Sequence, residues 1–238
     1  MIIRYHFIER YLSICLFLLL ICTDLGAQQT VGLLPNVVVS QKLKDLKVNY
    51  SWQSRVSRSS DTSSDPEWSD TAYRLSDLSI VATRSWDVNK SMAAGALYRI
   101  NADGANLFRL RQHIGIISPW QQLRVSHRIL LDESFVSGRD PLIRLRYRLS
   151  TDLPLNGTQI DNNEWYLKST IELLQRYRSS TYRMDLRGGL YIGRKLTNSN
   201  KIELGIDYRH EGVAKSNAEN IYWLAMSLYT QLPVRKKN

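Results

Sequence analysis

Cysteine is nearly missing from this 238-residue chain: there are two, Cys15 and Cys22, both near the start. Residues 1–27 read as a removable leader, so the mature chain has no cysteine at all. That excludes disulfides, thiol catalysis and Cys-ligated zinc. Long apolar runs are also lacking. After Ala27 no stretch reaches the 18 or so apolar residues a membrane helix needs, and mean hydropathy is −0.30, so a helical membrane bundle is excluded. Neither a phosphate-loop nor a dinucleotide fingerprint is present. Phenylalanine is scarce, 4 residues against 13 Tyr and 6 Trp. Composition is otherwise that of an ordinary folded chain, 43% hydrophobic and 23% charged.

The leader itself carries Arg4 and Arg10, then an apolar run from Leu12 to Cys22, then the small and polar exit Thr23–Ala27. This is the layout of a secretory signal peptide cleaved before Gln28. Ile21 before Cys22 is too large for a lipid-attachment site. The leader holds Arg4, Arg10, Glu9 and Asp24, so its loss leaves the formal net charge at +10.

Beyond the leader, polar and apolar residues alternate with a period of two along the chain. Ile143, Leu145, Tyr147 and Leu149 alternate with Arg144, Arg146 and Arg148. Trp165, Leu167, Ile171 and Leu173 oppose Lys168, Thr170 and Glu172. Tyr182, Met184, Leu186, Leu190 and Ile192 oppose Arg183, Asp185 and Arg187. Similar patterns over residues 46–230 give about ten strands of roughly 9–12 residues, the length a tilted strand needs to cross a bilayer. The fold expected is all-β: an antiparallel up-and-down transmembrane barrel of about 10 strands, with 12 the next choice. Residues 28–45 are expected to form a plug, a periplasmic strand or an extra barrel strand, and 231–238 a basic tail. Residues 57–71, 132–140, 175–180 and 211–219 read as longer polar loops. Residues 151–163 break the alternation of short and long connectors, and Asn156-Gly157-Thr158 within them reads as a turn.

In such a barrel the apolar face meets lipid and the charged face lines the lumen. The expected basic wall is Arg109, Arg111, Arg124, Arg128, Arg144, Arg146, Arg148, Lys168, Arg183 and Arg187. Its acidic partners are Glu172, Asp185, Glu203 and Asp207. Trp52, Tyr73, Trp86, Tyr98, Trp120, Trp165, Tyr208 and Tyr222 would supply interfacial girdles.

Several short motifs also resemble a known family. Pro119-Trp120-Gln121-Gln122-Leu123, Arg128–Glu133, Ile143–Arg148, Glu164–Leu167 and Leu204–Arg209 are similar to those of the DUF2490 proteins of Bacteroidetes. The strand Leu123-Arg124-Val125-Ser126-His127-Arg128 departs from the usual L-x-R-x-R-x-E run of that family. The resemblance implies an outer-membrane β-barrel of uncharacterised role and supplies no catalytic residues.

Location guides the functional expectation. The chain is expected to be a barrel in the outer membrane of a Gram-negative cell, in contact with lipid, with a structural or binding role or a narrow anion-favouring channel. An anionic solute or lipid headgroup is the ligand expected. Two alternatives are a membrane-embedded lipid-modifying enzyme and a soluble periplasmic ligand-binding barrel. No cofactor or metal is expected. Catalysis is not expected either: His127 has Ser126 beside it on the opposite face and no Ser or carboxylate two residues away on its own face, Glu133 reading as beyond the strand. Nucleic-acid binding is set aside despite the pI near 9.7, because the arginines are spaced for one strand face.

Overall fold

In the computed structural model the described residues are 28–60, 69–120, 123–215 and 217–233. The leader, both cysteines and most of the basic tail lie outside them. Eleven strands form one closed barrel: β1 (Gln28–Leu43), β2 (Leu46–Ser60), β3 (Ala72–Asp87), β4 (Lys90–Asn101), β5 (Leu107–Trp120), β6 (Leu123–Val136), β7 (Arg139–Pro154), β8 (Trp165–Arg178), β9 (Thr181–Lys195), β10 (Asn200–Glu211) and β11 (Glu219–Gln231). No helix occurs among the described residues.

The count is neither ten nor twelve. The additional strand is β1, so residues 28–43 belong to the barrel and no plug forms from them. Consecutive strands pair antiparallel, but β1 and β11 close the barrel in parallel, in register from Gln28↔Glu219 to Ser40↔Gln231. An odd count makes a parallel seam unavoidable. It also gives the barrel two distinct ends: a leading end where β1 begins and a trailing end where β11 finishes.

The strands are longer than the sequence suggests, 12 to 16 residues. Two loops expected to be long are two-residue turns. β6 runs on through residues 132–136 and turns at Ser137-Gly138, where Gly138 takes the left-handed φ of 71° that the turn demands. β8 runs to Arg178 and turns at Ser179-Ser180. The 155–164 connector is long and shares the trailing end with the turns Lys44-Asp45 and Val88-Asn89.

The outer face is apolar and open. Leu78 and Ile80 on β3, Ile114 and Ile116 on β5, Leu145 on β7, Leu204 and Ile206 on β10, and Leu224 and Met226 on β11 all point outward and are exposed. Most buried groups lie inside, and many are charged. Asp132 and Asp185 are 0% exposed and Glu172 4%. A small apolar cluster of Leu34, Ile221, Trp223 and Ala225, with Tyr191 against it, forms a neutral patch of core. It needs Gly32: a Cβ there would lie 2.7 Å from the Trp223 ring and closer still to the Val56 carbonyl.

Candidate functional site

The lumen is built from alternate positions of β5 to β10. Because a strand's side chains alternate sides, Arg144, Arg146 and Arg148 all point inward from β7. Their neighbours across the sheet are Asp132, Leu130 and Arg128 on β6, and Arg176, Leu174 and Glu172 on β8.

Near the leading end the charges are tightly matched. Asp132 accepts from Arg144 Nη2 at 2.6 Å and has Arg146 Nη1 at 3.5 Å and Arg111 Nε at 3.7 Å. Asp185 and Glu211 share Arg176. The Gly212 N–H donates to Asp185 Oδ1 at 3.0 Å. Arg109 has no carboxylate within ion-pair distance among the described residues; its Nε donates to Ser134 Oγ at 2.7 Å. A separate bidentate pair, Arg99 to Asp77 at 2.7 and 2.8 Å, crosses from β4 to β3.

At mid-height Glu172 receives Arg146 through Nη2 at 2.7 Å and Arg148 Nε at 2.6 Å, with Arg187 Nη1 at 3.7 Å. Charge-assisted forks of this kind are strong and geometrically specific. Toward the trailing end Glu203 holds Lys168 Nζ and Lys201 Nζ, each at 3.0 Å, and accepts from the Tyr166 and Tyr229 hydroxyls at 2.7 and 3.1 Å. The same lysines sit over aromatic faces, Lys201 4.3 Å from the Tyr229 centroid. Tyr166 lies across Gly193, where a Cβ would run into its ring. Asp207 pairs with Arg209 at 2.7 Å and accepts from Tyr191 at 3.1 Å.

The whole expected basic wall faces the lumen, and the four expected acids pair with cations there, Asp185 having Arg183 Nε at 3.6 Å besides Arg176. The cations are not equally matched. Arg128 has no carboxylate within ion-pair distance among the described residues and is exposed to the lumen. Arg124 is also exposed and donates to Asn89 Oδ1, at 3.3 Å. A cavity of about 120 Å³ lies among Arg111, Arg128, Leu130, Arg146, Arg148 and Glu172.

Several participants are not evident from the sequence. Asp132 falls in a stretch that reads as a loop, although the inward row 128, 130, 132, 134 would have pointed to it. Arg55, Asp77, Arg99, Arg176, Lys201 and Glu211 extend the ladder. Among the aromatics, Trp52, Tyr73, Trp86, Tyr98, Trp120 and Trp165 are exposed on the outer face. Tyr208 is not: it is 4% exposed and its hydroxyl donates to Asn220 Oδ1 at 2.8 Å, an oxygen it shares with His210 Nδ1.

His127 has partners that the sequence does not reveal, because they come from neighbouring strands. Its Nε2 is 2.7 Å from Ser118 Oγ on β5 and its Nδ1 is 2.9 Å from the Tyr147 hydroxyl on β7. All three lie near the trailing end. No group of three or more metal-ligating side chains occurs among the described residues.

Residues 32–220 match the family described as Protein of unknown function (DUF2490). No curated protein matches the chain, and no solved structure does.

Proposed function

The chain belongs to the DUF2490 family, and from that premise we propose that it is an outer-membrane β-barrel with a structural or binding role and a narrow, anion-favouring interior. The observation that carries this reading is the inverted distribution of polarity. Leucine, isoleucine and methionine cover the outside, while buried carboxylates and guanidinium groups fill the inside. A water-soluble barrel would expose this outer surface at a large cost, about 25 cal/mol per Å² of apolar area. A bilayer accepts it. The interfacial tryptophans and the signal-peptide-like leader support the same reading. Strands of 12 to 16 residues exceed the ~9–11 needed to span, so their ends project beyond the hydrocarbon.

The test is fractionation. The chain should sediment with outer membranes, need detergent for extraction and migrate faster on a gel unheated than boiled. Recovery in the aqueous phase without detergent would overturn the membrane assignment in favour of a periplasmic ligand-binding barrel. In planar bilayers any current should favour anions; cation selectivity would remove the anion-favouring part.

One contact favours a second reading, a lipid-modifying enzyme. The Ser118–His127–Tyr147 chain has the distances of a nucleophile, a base and an orienting group. Phospholipid hydrolysis by purified barrel, lost in both Ser118→Ala and His127→Ala, would support it. Equal rates in wild type and variants would dismiss it.

A further inference from the structure

Along β6 the lumen is open toward the trailing end and packed toward the leading end. The inward row reads Arg124 exposed, Ser126 half-buried, Arg128 exposed, Leu130 buried, Asp132 fully buried and Ser134 buried. A vestibule therefore opens at the trailing end and is floored at the level of Leu130. Just above that floor is the 120 Å³ cavity. One water needs ~10–15 Å³ of such space, so an ion of several heavy atoms fits.

Four guanidinium groups and one carboxylate line it, and the carboxylate is already taken: Glu172 is engaged by Arg146 and Arg148. The donors left over converge. Arg128 lies directly opposite Arg148 in the β6–β7 register, two like charges side by side on the inner face, an arrangement that costs stability unless something bridges it. Arg111 Nε makes no hydrogen bond and only a long ion pair, 3.7 Å from Asp132 Oδ1. Across β5 the residue opposite Arg128 is Gly115, which puts no side chain into the space. Arg148 is 37% exposed, which leaves the approach from the vestibule open.

The geometry points to a binding site for a single phosphate group, held between Arg128 and Arg148 with Arg111 beneath. It rests on the anion-favouring reading of the same lumen and adds the ligand class and the residues. Two oxygens of one oxyanion can each take a forked pair of N–H groups, so the ligand removes the Arg128–Arg148 repulsion and occupies donors that the fold leaves unused. A spherical halide offers no second oxygen and would bind far more weakly.

The test uses purified full-length barrel in detergent, its folded state checked by the gel shift. Inorganic phosphate is titrated by calorimetry, with chloride and a short-chain phosphatidic acid in separate arms. One phosphate per barrel should bind, at least tenfold tighter than chloride. Arg128→Ala should lose at least tenfold, Arg128→Lys less, and Lys90→Ala nothing. Saturation by inorganic phosphate identifies a free phosphate as sufficient, whereas heat only with phosphatidic acid identifies a lipid headgroup. No heat in either arm, phosphate no tighter than chloride, or an unchanged affinity in Arg128→Ala would overturn the site. A barrel that partitions into water yet binds phosphate would break the membrane reading and leave the site standing.

Discussion

The barrel has two unlike walls. From β11 through β1 to β3 the inner face is largely neutral, Arg55 and Asp77 apart: Asn36 donates to Ser227, Ser40 to Asn49, and the Ser51 and Ser79 hydroxyls meet at 2.6 Å. From β5 to β10 the inner face carries long cations and their carboxylates. The difference is one of reach. Short residues on one side leave the lumen free for guanidinium and ammonium groups from the other, so one wall fills the interior for both. They meet at Trp223, whose ring has Arg55 at 5.8 Å and Arg209 at 5.7 Å.

The two walls should answer mutation differently, and the largest effect is expected at Asp132. It faces three arginines from full burial. Asp132→Ala strands those charges and should cost ~3–5 kcal/mol, read as a shift in the denaturant midpoint of the folded band. Ser51→Ala on the neutral wall removes one hydroxyl contact and should cost no more than ~1.5 kcal/mol. Equal losses would mean that the walls do not differ energetically.

Next come the two glycines that receive rings. Gly193→Ala pushes against Tyr166 on the charged wall, and Gly32→Ala against Trp223 on the neutral one. Each should cost ~1–3 kcal/mol by overpacking. Tyr166→Ala combined with Gly193→Ala should recover part of that cost. Gly32→Ala should not be relieved the same way, since its added carbon also meets the Val56 backbone.

The smallest effect is expected at Lys168. Glu203 keeps Lys201 and two tyrosine hydroxyls when Lys168→Met removes one partner. A midpoint change of at most ~1 kcal/mol is expected. A larger one would mean that the two lysines act as a unit.

The charged wall is the legible one. Alternation over residues 143–149 and 182–192 yields both strand and facing, because Arg or Asp at every second position is hard to reconcile with any other period. The neutral wall hides for the same physical reason. In β1 the inward residues Leu34 and Val38 are as apolar as the outward Leu33, Val37 and Val39, so no alternation marks a strand. The eleventh strand therefore reads as an ambiguous segment. Asp132 is hidden by a turn shorter than its polar surroundings suggest. The Ser118–His127–Tyr147 chain is assembled by register across three strands, and no spacing along one strand encodes it.

The parallel seam has a kinetic side. Asn36 and Ser227 hydrogen-bond across it at a separation of 191 residues, so the barrel closes only by its most non-local pairing. Such contacts come late and slowly, because the chain entropy must be lost before they form. Parallel pairing is also slightly weaker per residue than antiparallel. The β1–β11 line is therefore where the wall would be completed last, and where it would part first under strain.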